Sequence, residues 1–242
     1  MKKMITYKQR ASFYNSELII DDNLEKFLLY TRNAFNLQDV ILIPCGAGKY
    51  KDIYGKIFKK SYFIDCEKEM ISQLKSECNY NNIIPRVGNL KDEIKINVDA
   101  VFVLNQGMQF LSYLEFKRFI CNYSKHTKYF ILDLFDFFKN SNDGLNYYSI
   151  IDNEINSTFY HNGKLVKRNI TYYRYKDKIN FLYTYNNNYQ MKFNLYNYKY
   201  EDIMQILKTI PNLVVKCIYA DYSKHFYNDN NRFILILEVI NG

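Results

Sequence analysis

The apolar positions of this chain change texture near residue 138. Before it, short mostly apolar runs at 40–43, 61–64, 83–86, 100–104 and 130–135 have the length of buried strands. Between them lie stripes at helical spacing. Leu24, Phe27, Leu28, Thr31 and Phe35 share one helical face behind Asp21-Asp22, and residues 68–78 and 7–14 also suit helices. Ser112-Tyr113-Leu114-Glu115 is a capping box, in which Ser and Glu satisfy free amides at a helix start. Strands alternating with helices predict a parallel sheet covered on both faces, with a ligand crevice at the carboxyl ends of its strands.

Beyond residue 138 the apolar and polar residues alternate one by one. Residues 155–161 and 165–175 flank Asn162-Gly163, a dipeptide that favours the type I′ hairpin turn. Two more strand-like runs, 179–185 and 189–196, are bracketed by Lys176-Asp177-Lys178 and Asn186-Asn187-Asn188. The predicted organisation is an α/β core of residues 1–138 and 199–242, interrupted by an antiparallel β insertion at 139–198. A helix at 201–209 returns the chain to the core.

The densest chemical signal follows the first strand. Pro44-Cys45-Gly46-Ala47-Gly48 is a tight turn with two glycines one residue apart, and the segment after it suits a helix. Strand, Gly-x-Gly turn and helix form a nucleotide cradle, because glycine lets the backbone pass close under a bulky ligand. Loop amides and a helix N-terminus are then expected to face that ligand. Asp65 ends the second apolar run, seventeen residues past Gly48, where an acid grips a ribose diol. The third glycine of a pyrophosphate loop is missing, since its position holds Lys51. A nucleoside without a pyrophosphate fits better than a dinucleotide.

These residues, in this order, resemble the class I S-adenosylmethionine-dependent methyltransferases. Pro44-Cys45-Gly46-Ala47-Gly48 is similar to the family's first motif in its small-molecule enzymes, and residues 62–70, with Asp65, Cys66 and Met70, resemble the second. Asn89 and Leu90 stand where the family often has an acid binding the adenine amino group; Asn keeps the required acceptor. Residues 98–104 and 130–135 match the fourth and fifth strands, Asn105 follows the fourth, and residues 219–222 and 232–239 look like the last two. The resemblance implies a Rossmann-like, doubly wound, mostly parallel seven-stranded sheet. The insertion then forms a lid over the acceptor pocket, with an added sheet for dimerisation as the alternative. Leu42 departs from the pattern. Related chains often carry an acid there to order the glycine loop or the cofactor's methionine end. Its loss implies weaker cofactor binding, or a protein that binds without turnover.

Composition narrows the function classes. A skew towards Asn, Lys, Ile and Tyr, with 25 Tyr and no Trp, follows from codon bias and does not itself indicate an aromatic cage. The net charge of +8 is spread without any run of five or six like charges, so a solvated surface is expected over a nucleic-acid patch. Five cysteines lack a Cys-x-x-Cys pair, which argues for reduced thiols and against zinc. The N-terminus lacks an apolar leader and no run spans a bilayer, so a soluble, cytoplasmic protein is expected, as monomer or homodimer.

Methyl transfer from S-adenosylmethionine, leaving S-adenosylhomocysteine, requires alignment of acceptor and methyl and exclusion of water. An amine acceptor needs only to be neutral, whereas a hydroxyl needs a base. The resemblance points to Tyr14 and His225 as catalytic candidates. It places Tyr14, Pro44, Cys45, Gly46, Gly48, Asp65, Cys66, Met70, Asn89, Leu90 and Asn105 at the cofactor, and Tyr7, Gln109 and Arg174 at the acceptor. No metal site is expected. The reading is transfer to an amine, ahead of a hydroxyl, of a small molecule. Alternatives are an RNA-directed methyltransferase and an inactive cofactor- or partner-binding protein on the same fold.

Overall fold

The computed structural model describes residues 3–93, 95–137, 139, 150–151, 154–175 and 177–240; nothing is said of the rest, nor of the side chains of residues 7, 8, 150, 151 and 173–175. The chain forms, in order, β1 (Lys3–Met4), α1 (Tyr7–Glu17), α2 (Leu24–Ala34), β2 (Asp39–Leu42), α3 (Lys51–Ile57), β3 (Lys60–Asp65), α4 (Lys68–Glu77), β4 (Ile83–Val87) and β5 (Val98–Val103). A short 3-10 turn (Gly107–Phe110) leads to α5 (Tyr113–Tyr123) and β6 (Thr127–Phe135). Then come β7 (Ile150–Ile151), β8 (Glu154–His161), β9 (Lys164–Tyr175), β10 (Lys178–Tyr185), β11 (Tyr189–Tyr196), α6 (Tyr200–Lys208), β12 (Leu213–Tyr219) and β13 (Arg232–Val239).

Seven strands make the first sheet, in the order β12-β13-β6-β5-β2-β3-β4. The neighbours from β6 to β4 pair in parallel, and β13 runs antiparallel to both β6 and β12. The mostly apolar runs follow from burial on both faces. One face of the sheet packs Val101, Val103, Phe130 and Leu132 against α5 and α6, through Phe116, Phe119, Ile120, Ile203 and Leu207. The other packs Val40, Leu42, Ala100 and Phe102 against α2, α3 and α4 through Phe27, Leu28, Tyr54 and Leu74. Chain order reverses between β2 and β5, so the crevice of this open sheet lies beyond their carboxyl ends.

Local signals set the boundaries closely. Ser112 and Glu115 form a reciprocal capping box at the start of α5. Thr6 and Gln9 form a second one at α1, which runs a turn further than expected, to Glu17. Asn162 and Gly163 both have positive φ, 49° and 71°, as the type I′ turn requires, and His161 pairs with Lys164. One expected strand is misplaced. The penultimate strand is β12, ending at Tyr219, and residues 220–222 are the loop after it.

The second sheet has the order β1-β11-β10-β9-β8-β7, antiparallel except for β1, which joins β11 in parallel from the far end of the chain. Its inner face buries Ile155, Ile170, Ile179, Phe181 and Leu195 with Phe137. Polar staples join the sheets beyond the end of β6: Asn197 donates to Asp136 (2.9 Å) and accepts from the Phe137 N–H (2.7 Å).

Candidate functional site

The glycine turn sits at the reversal point and is tied down on all sides. The Ile43 N–H donates to the Phe102 carbonyl (3.0 Å) and the Cys45 N–H to that of Ile64 (2.9 Å), suspending the loop between β5 and β3. Gly46 has φ +55°, and a Cβ there would fall 2.3 Å from Cε1 of Tyr14. Gly48 has φ +79°, and a Cβ would fall 2.3 Å from Leu74 of α4. Two glycines therefore serve the helix packing that a third serves in longer motifs. Asp65, at the tip of β3, accepts the Gly46 N–H on one oxygen (2.8 Å) and the Glu67 N–H on the other (3.0 Å). Burial raises its carboxyl above the ordinary range, against the lowering effect of those N–H bonds. A carboxylate has about four lone-pair sites, so Asp65 keeps acceptor capacity towards a ribose.

The expectation that loop amides face the ligand does not hold for three of them. The N–H groups of Cys45, Gly46 and Gly48 are all used inside the loop, on Ile64, Asp65 and Cys45. Leu42 also finds its explanation here. It is fully buried in the apolar core, and the acid that orders the loop comes from the next strand, as Asp65.

Helix α1 lies over the loop. Tyr14 packs on Gly46 beside Ala47, Met70 and Ala11, and Asn15 donates to the Ala47 carbonyl (3.0 Å). The same helix is fastened to the second sheet through Glu17. Its buried carboxylate accepts from Arg168 of β9 (2.8 Å) and the Tyr185 hydroxyl of β10 (3.0 Å), with Arg10 Nε at 3.4 Å. Arg10 lies over the rings of Tyr14 and Phe193, 5.0 and 6.0 Å from their centroids.

Across the crevice, Asp133 near the end of β6 collects four donors: the Asn105 N–H (3.0 Å), the Tyr222 hydroxyl (2.8 Å), and Arg232 Nε (2.9 Å) and Nη2 (3.1 Å). Arg232 also reaches Asp21 (3.4 Å). The bond to Asn105 holds the left-handed Asn105-Gln106 pair (φ 51° and 63°) that closes the strand end.

All of this borders one cavity of about 930 Å³, floored by the first sheet and walled by α1 and the second sheet. No protein-family model matches the chain, and no curated protein matches it in sequence. Solved structures do match along the whole length. An S-adenosylmethionine-dependent methyltransferase from Clostridium acetobutylicum ATCC 824 is 17% identical with a TM-score of 0.75, covering 97% of this chain and 99% of that one. The amino pentose methyltransferase CalS10 from Micromonospora echinaspora, solved with S-adenosylmethionine bound, is 12% identical at a TM-score of 0.69, covering 99% of each chain. The sugar N-methyltransferase KedS8 from Streptoalloteichus sp. ATCC 53650 is 12% identical at 0.68, covering 99% and 94%. The chain has the methyltransferase fold.

On this methyltransferase fold the expected cofactor residues Tyr14, Pro44, Gly46, Asp65, Cys66, Met70, Asn89, Leu90 and Asn105 all line the cavity. They suit a nucleoside ligand: a carboxylate for the diol, Met70 and Leu90 as apolar cover, and the Asn89 side chain beside them. Asn89 Oδ1 already accepts the Lys91 N–H (3.0 Å), which fixes the turn that presents it. Cys45 and Gly48 do not line the cavity. The Cys45 thiol is buried against the core and Gly48 meets α4, so both shape the loop from behind. Cys66 does line it, with its thiol pushed up to about 11 by burial and by the neighbouring Asp65 and Glu67.

The catalytic and acceptor expectations fare differently. His225 lies outside the cavity, its side chain three-quarters exposed and bonded to Asp221 (2.7 Å). Burial holds the Tyr14 phenol well above its ordinary pKa, so it stays protonated and is no base. Gln109 is buried away from the cavity, its amide donating to the Phe135 and Tyr196 carbonyls (3.0 and 2.9 Å) and so stapling the sheets. Arg174 lies on β9 and Tyr7 opens α1, but their side chains fall outside the described ones. The sequence reading missed Arg10, Glu17 and Arg168, and it missed the partners of Asp133. The one available signal for Arg168 was a charge two residues from Val166 and from Ile170, on what period-2 spacing makes the apolar face of the strand. Among the described residues no cluster of His, Cys, Asp or Glu could hold a metal, and no helix is long and apolar enough to cross a membrane.

Proposed function

We propose that the protein is an S-adenosylmethionine-dependent methyltransferase acting on the amine of a small molecule. The observation that carries this reading is the Gly46–Asp65 pairing, at the reversal point of a sheet with the methyltransferase strand order. Asp65 would hold the ribose hydroxyls, Met70 and Leu90 would cover the adenine beside Asn89, and Arg10 would face the cofactor's carboxylate from α1. When bound, the cofactor supplies an electrophilic methyl group. The chain's own part is to bind, orient and exclude water.

The side chains around the cavity favour an amine over a hydroxyl. Among the described residues no histidine lines it, the buried Asp133 carboxylate is held by four donors, two of them from Arg232, and the Tyr14 phenol is held protonated. An alcohol would lack a positioned base, whereas an amine reacts through its neutral lone pair and can release its proton to water afterwards. Charge agrees. In a chain of net charge +8, seven carboxylates and four cations line the cavity among the described residues. That local balance attracts an ammonium in solution and repels a polyanion such as RNA.

We read the second sheet as a lid domain, residues 139–198, that selects the acceptor over a core of 1–138 and 199–242. CalS10 and KedS8, both sugar-directed by name, keep an amino sugar among the acceptors to test. Calorimetry with S-adenosylhomocysteine, then mass spectrometry of an amine panel with S-adenosylmethionine, tests the reading. The expected result is micromolar cofactor binding and a 14-Da gain on an amine. Absence of cofactor binding would sink it; binding without turnover on amines, or label entering RNA, would replace it with one of the alternatives.

A further inference from the structure

The acceptor side of the cavity has a face that the methyltransferase reading does not explain. Phe110, in the 3-10 turn directly after Asn105-Gln106, is 49% exposed and borders the cavity. Its ring lies 6.4 Å from that of Phe193 on β11. Phe193 stacks on Phe181 of β10 (5.1 Å, 15° between planes) and takes Tyr183 edge-on (4.8 Å, 70°). Phe135, at the end of β6, completes the enclosure. These five rings belong to four separate elements yet border the same space. Among the described residues three cations touch these rings, Arg168 over Tyr183 (5.3 Å), Arg10 over Phe193 (6.0 Å) and Arg232 over Phe135 (5.5 Å). Each is already bonded to a carboxylate, Glu17 for the first two and Asp133 for the third.

We propose that this aromatic wall is the acceptor subsite, and that the acceptor is an amine carried on a flat, apolar ring system. The proposal rests on the methyl-transfer reading for the place of the amine. The wall's preference for a ring does not depend on turnover. Aromatic faces and edges in this arrangement stack planar groups well and offer few partners to hydroxyls. A polyhydroxylated body would leave its hydroxyls desolvated and unpaired against the rings. The amine would point away from the wall, towards the strand ends at Asn105, and the carboxylates of Asp21 and Asp22 at the cavity's edge favour its approach as a cation.

The test is calorimetry on the full chain, with and without saturating S-adenosylhomocysteine, using tryptamine and phenethylamine as ring amines and glucosamine as a polyhydroxylated one. Ring amines should bind at least about tenfold more tightly than glucosamine, and Phe110→Ala and Phe193→Leu should each weaken them about five- to tenfold. Affinity for S-adenosylhomocysteine and Tm should stay near wild type in Phe110→Ala, whose ring is half exposed. Glucosamine binding as tightly as tryptamine, no measurable ring-amine binding, or an unchanged tryptamine affinity in both variants would each overturn the proposal. Loss of S-adenosylhomocysteine binding in the wild type would instead strike the methyltransferase reading, while the ring amines still test the wall in the free protein.

Discussion

The half of the cavity that we assign to the cofactor and the half that we assign to the acceptor are built on opposite plans. The cofactor half comes from short, contiguous segments at strand ends: 44–48 after β2, 65–70 after β3 and 89–90 after β4. Its groups are backbone, one carboxylate and a few apolar side chains, positioned by bonds such as Gly46 to Asp65 over nineteen residues. The proposed acceptor half is assembled from α1, the turn after β5, β6 and the second sheet, and is held by one buried and one partly buried ion pair between residues far apart in sequence. Arg168 meets Glu17 across 151 positions, and Arg232 meets Asp21 across 211. A local plan resists drift, because each part is fixed by its own strand. A long-range plan lets the acceptor wall change while the cofactor seat stays. Helix α1 belongs to both halves, through Tyr14 on Gly46 and Glu17 on Arg168, so the glycine loop and the second sheet are mechanically linked.

That link gives the largest expected effect. Arg168→Ala leaves Glu17 buried with only the longer Arg10 contact and a phenol. Breaking a buried pair from one side costs about 3–5 kcal/mol, which for a chain of this size lowers Tm by roughly 6–20 °C. The double variant Glu17→Leu with Arg168→Leu should recover more than half of the loss in thermal melts. Cofactor affinity should also fall in the single variant, because α1 loosens over the loop. An Arg168→Ala protein with wild-type Tm and affinity would show that the halves are independent. For the same reason, replacing the whole insertion with a linker should weaken the cofactor as well as abolish turnover.

Asp65→Ala comes next and should act on one half alone. Removing a carboxylate acceptor from a ligand hydroxyl costs about 1.5–3 kcal/mol, or roughly 10- to 150-fold in affinity for S-adenosylhomocysteine by calorimetry. Asp65→Asn adds a pH signature. The folded carboxyl titrates above its unfolded value of about 3.9, so in the window between them the folded chain holds a proton that the unfolded chain has released. Stability from this group is therefore present below the window and lost as pH rises through it. The Tm of Asp65→Asn should gain on wild type as pH rises from about 3 and level off above the raised value. A difference that is flat, or that shrinks with pH, would contradict the desolvated carboxyl.

Gly46→Ala should be milder but should touch the shared element. The left-handed backbone alone costs a non-glycine residue about 1–2 kcal/mol, and the new Cβ also displaces the Tyr14 ring. Tyr14→Ala in the same chain should relieve the contact and restore part of the Tm, leaving the backbone cost. Equal Tm values for the single and double variants would place Tyr14 elsewhere. The smallest effect is expected from His225→Ala. The imidazole lies outside the cavity, so kcat/KM on any amine that turns over should stay within about twofold and its pH profile should not move.

Much of the fold was legible because its signals are short. Mostly apolar runs, the Ser112–Glu115 box and Asn162-Gly163 each place an element within a residue or two, since the physics they report acts between near neighbours. The strand expected at 219–222 was misplaced although residues 213–219, Leu-Val-Val-Lys-Cys-Ile-Tyr, carry a clear apolar run broken only by Lys216. That run is β12, and its last residue, Tyr219, is where the expected strand begins. The segments that border the cavity after β2, β3 and β4 were legible for the same local reason. His225 and Gln109 failed for a different one. Both have the right chemistry near the right strand, but a side chain's direction and its competing partners are not written in spacing.

The sequence by itself determined the layered sheet, the hairpins, the glycine turn and the acid seventeen residues past Gly48, because period, turn chemistry and strand-end position are properties of a dozen residues at a time. Only the tertiary structure decided which polar groups remain available to a ligand. It used the amides of Cys45, Gly46 and Gly48 on β3 and within the loop, put four donors on Asp133, paired Glu17 with Arg168 and turned Gln109 into a staple. Hydrogen-bonding capacity is finite, and it is allotted among whichever partners folding brings within about 3 Å.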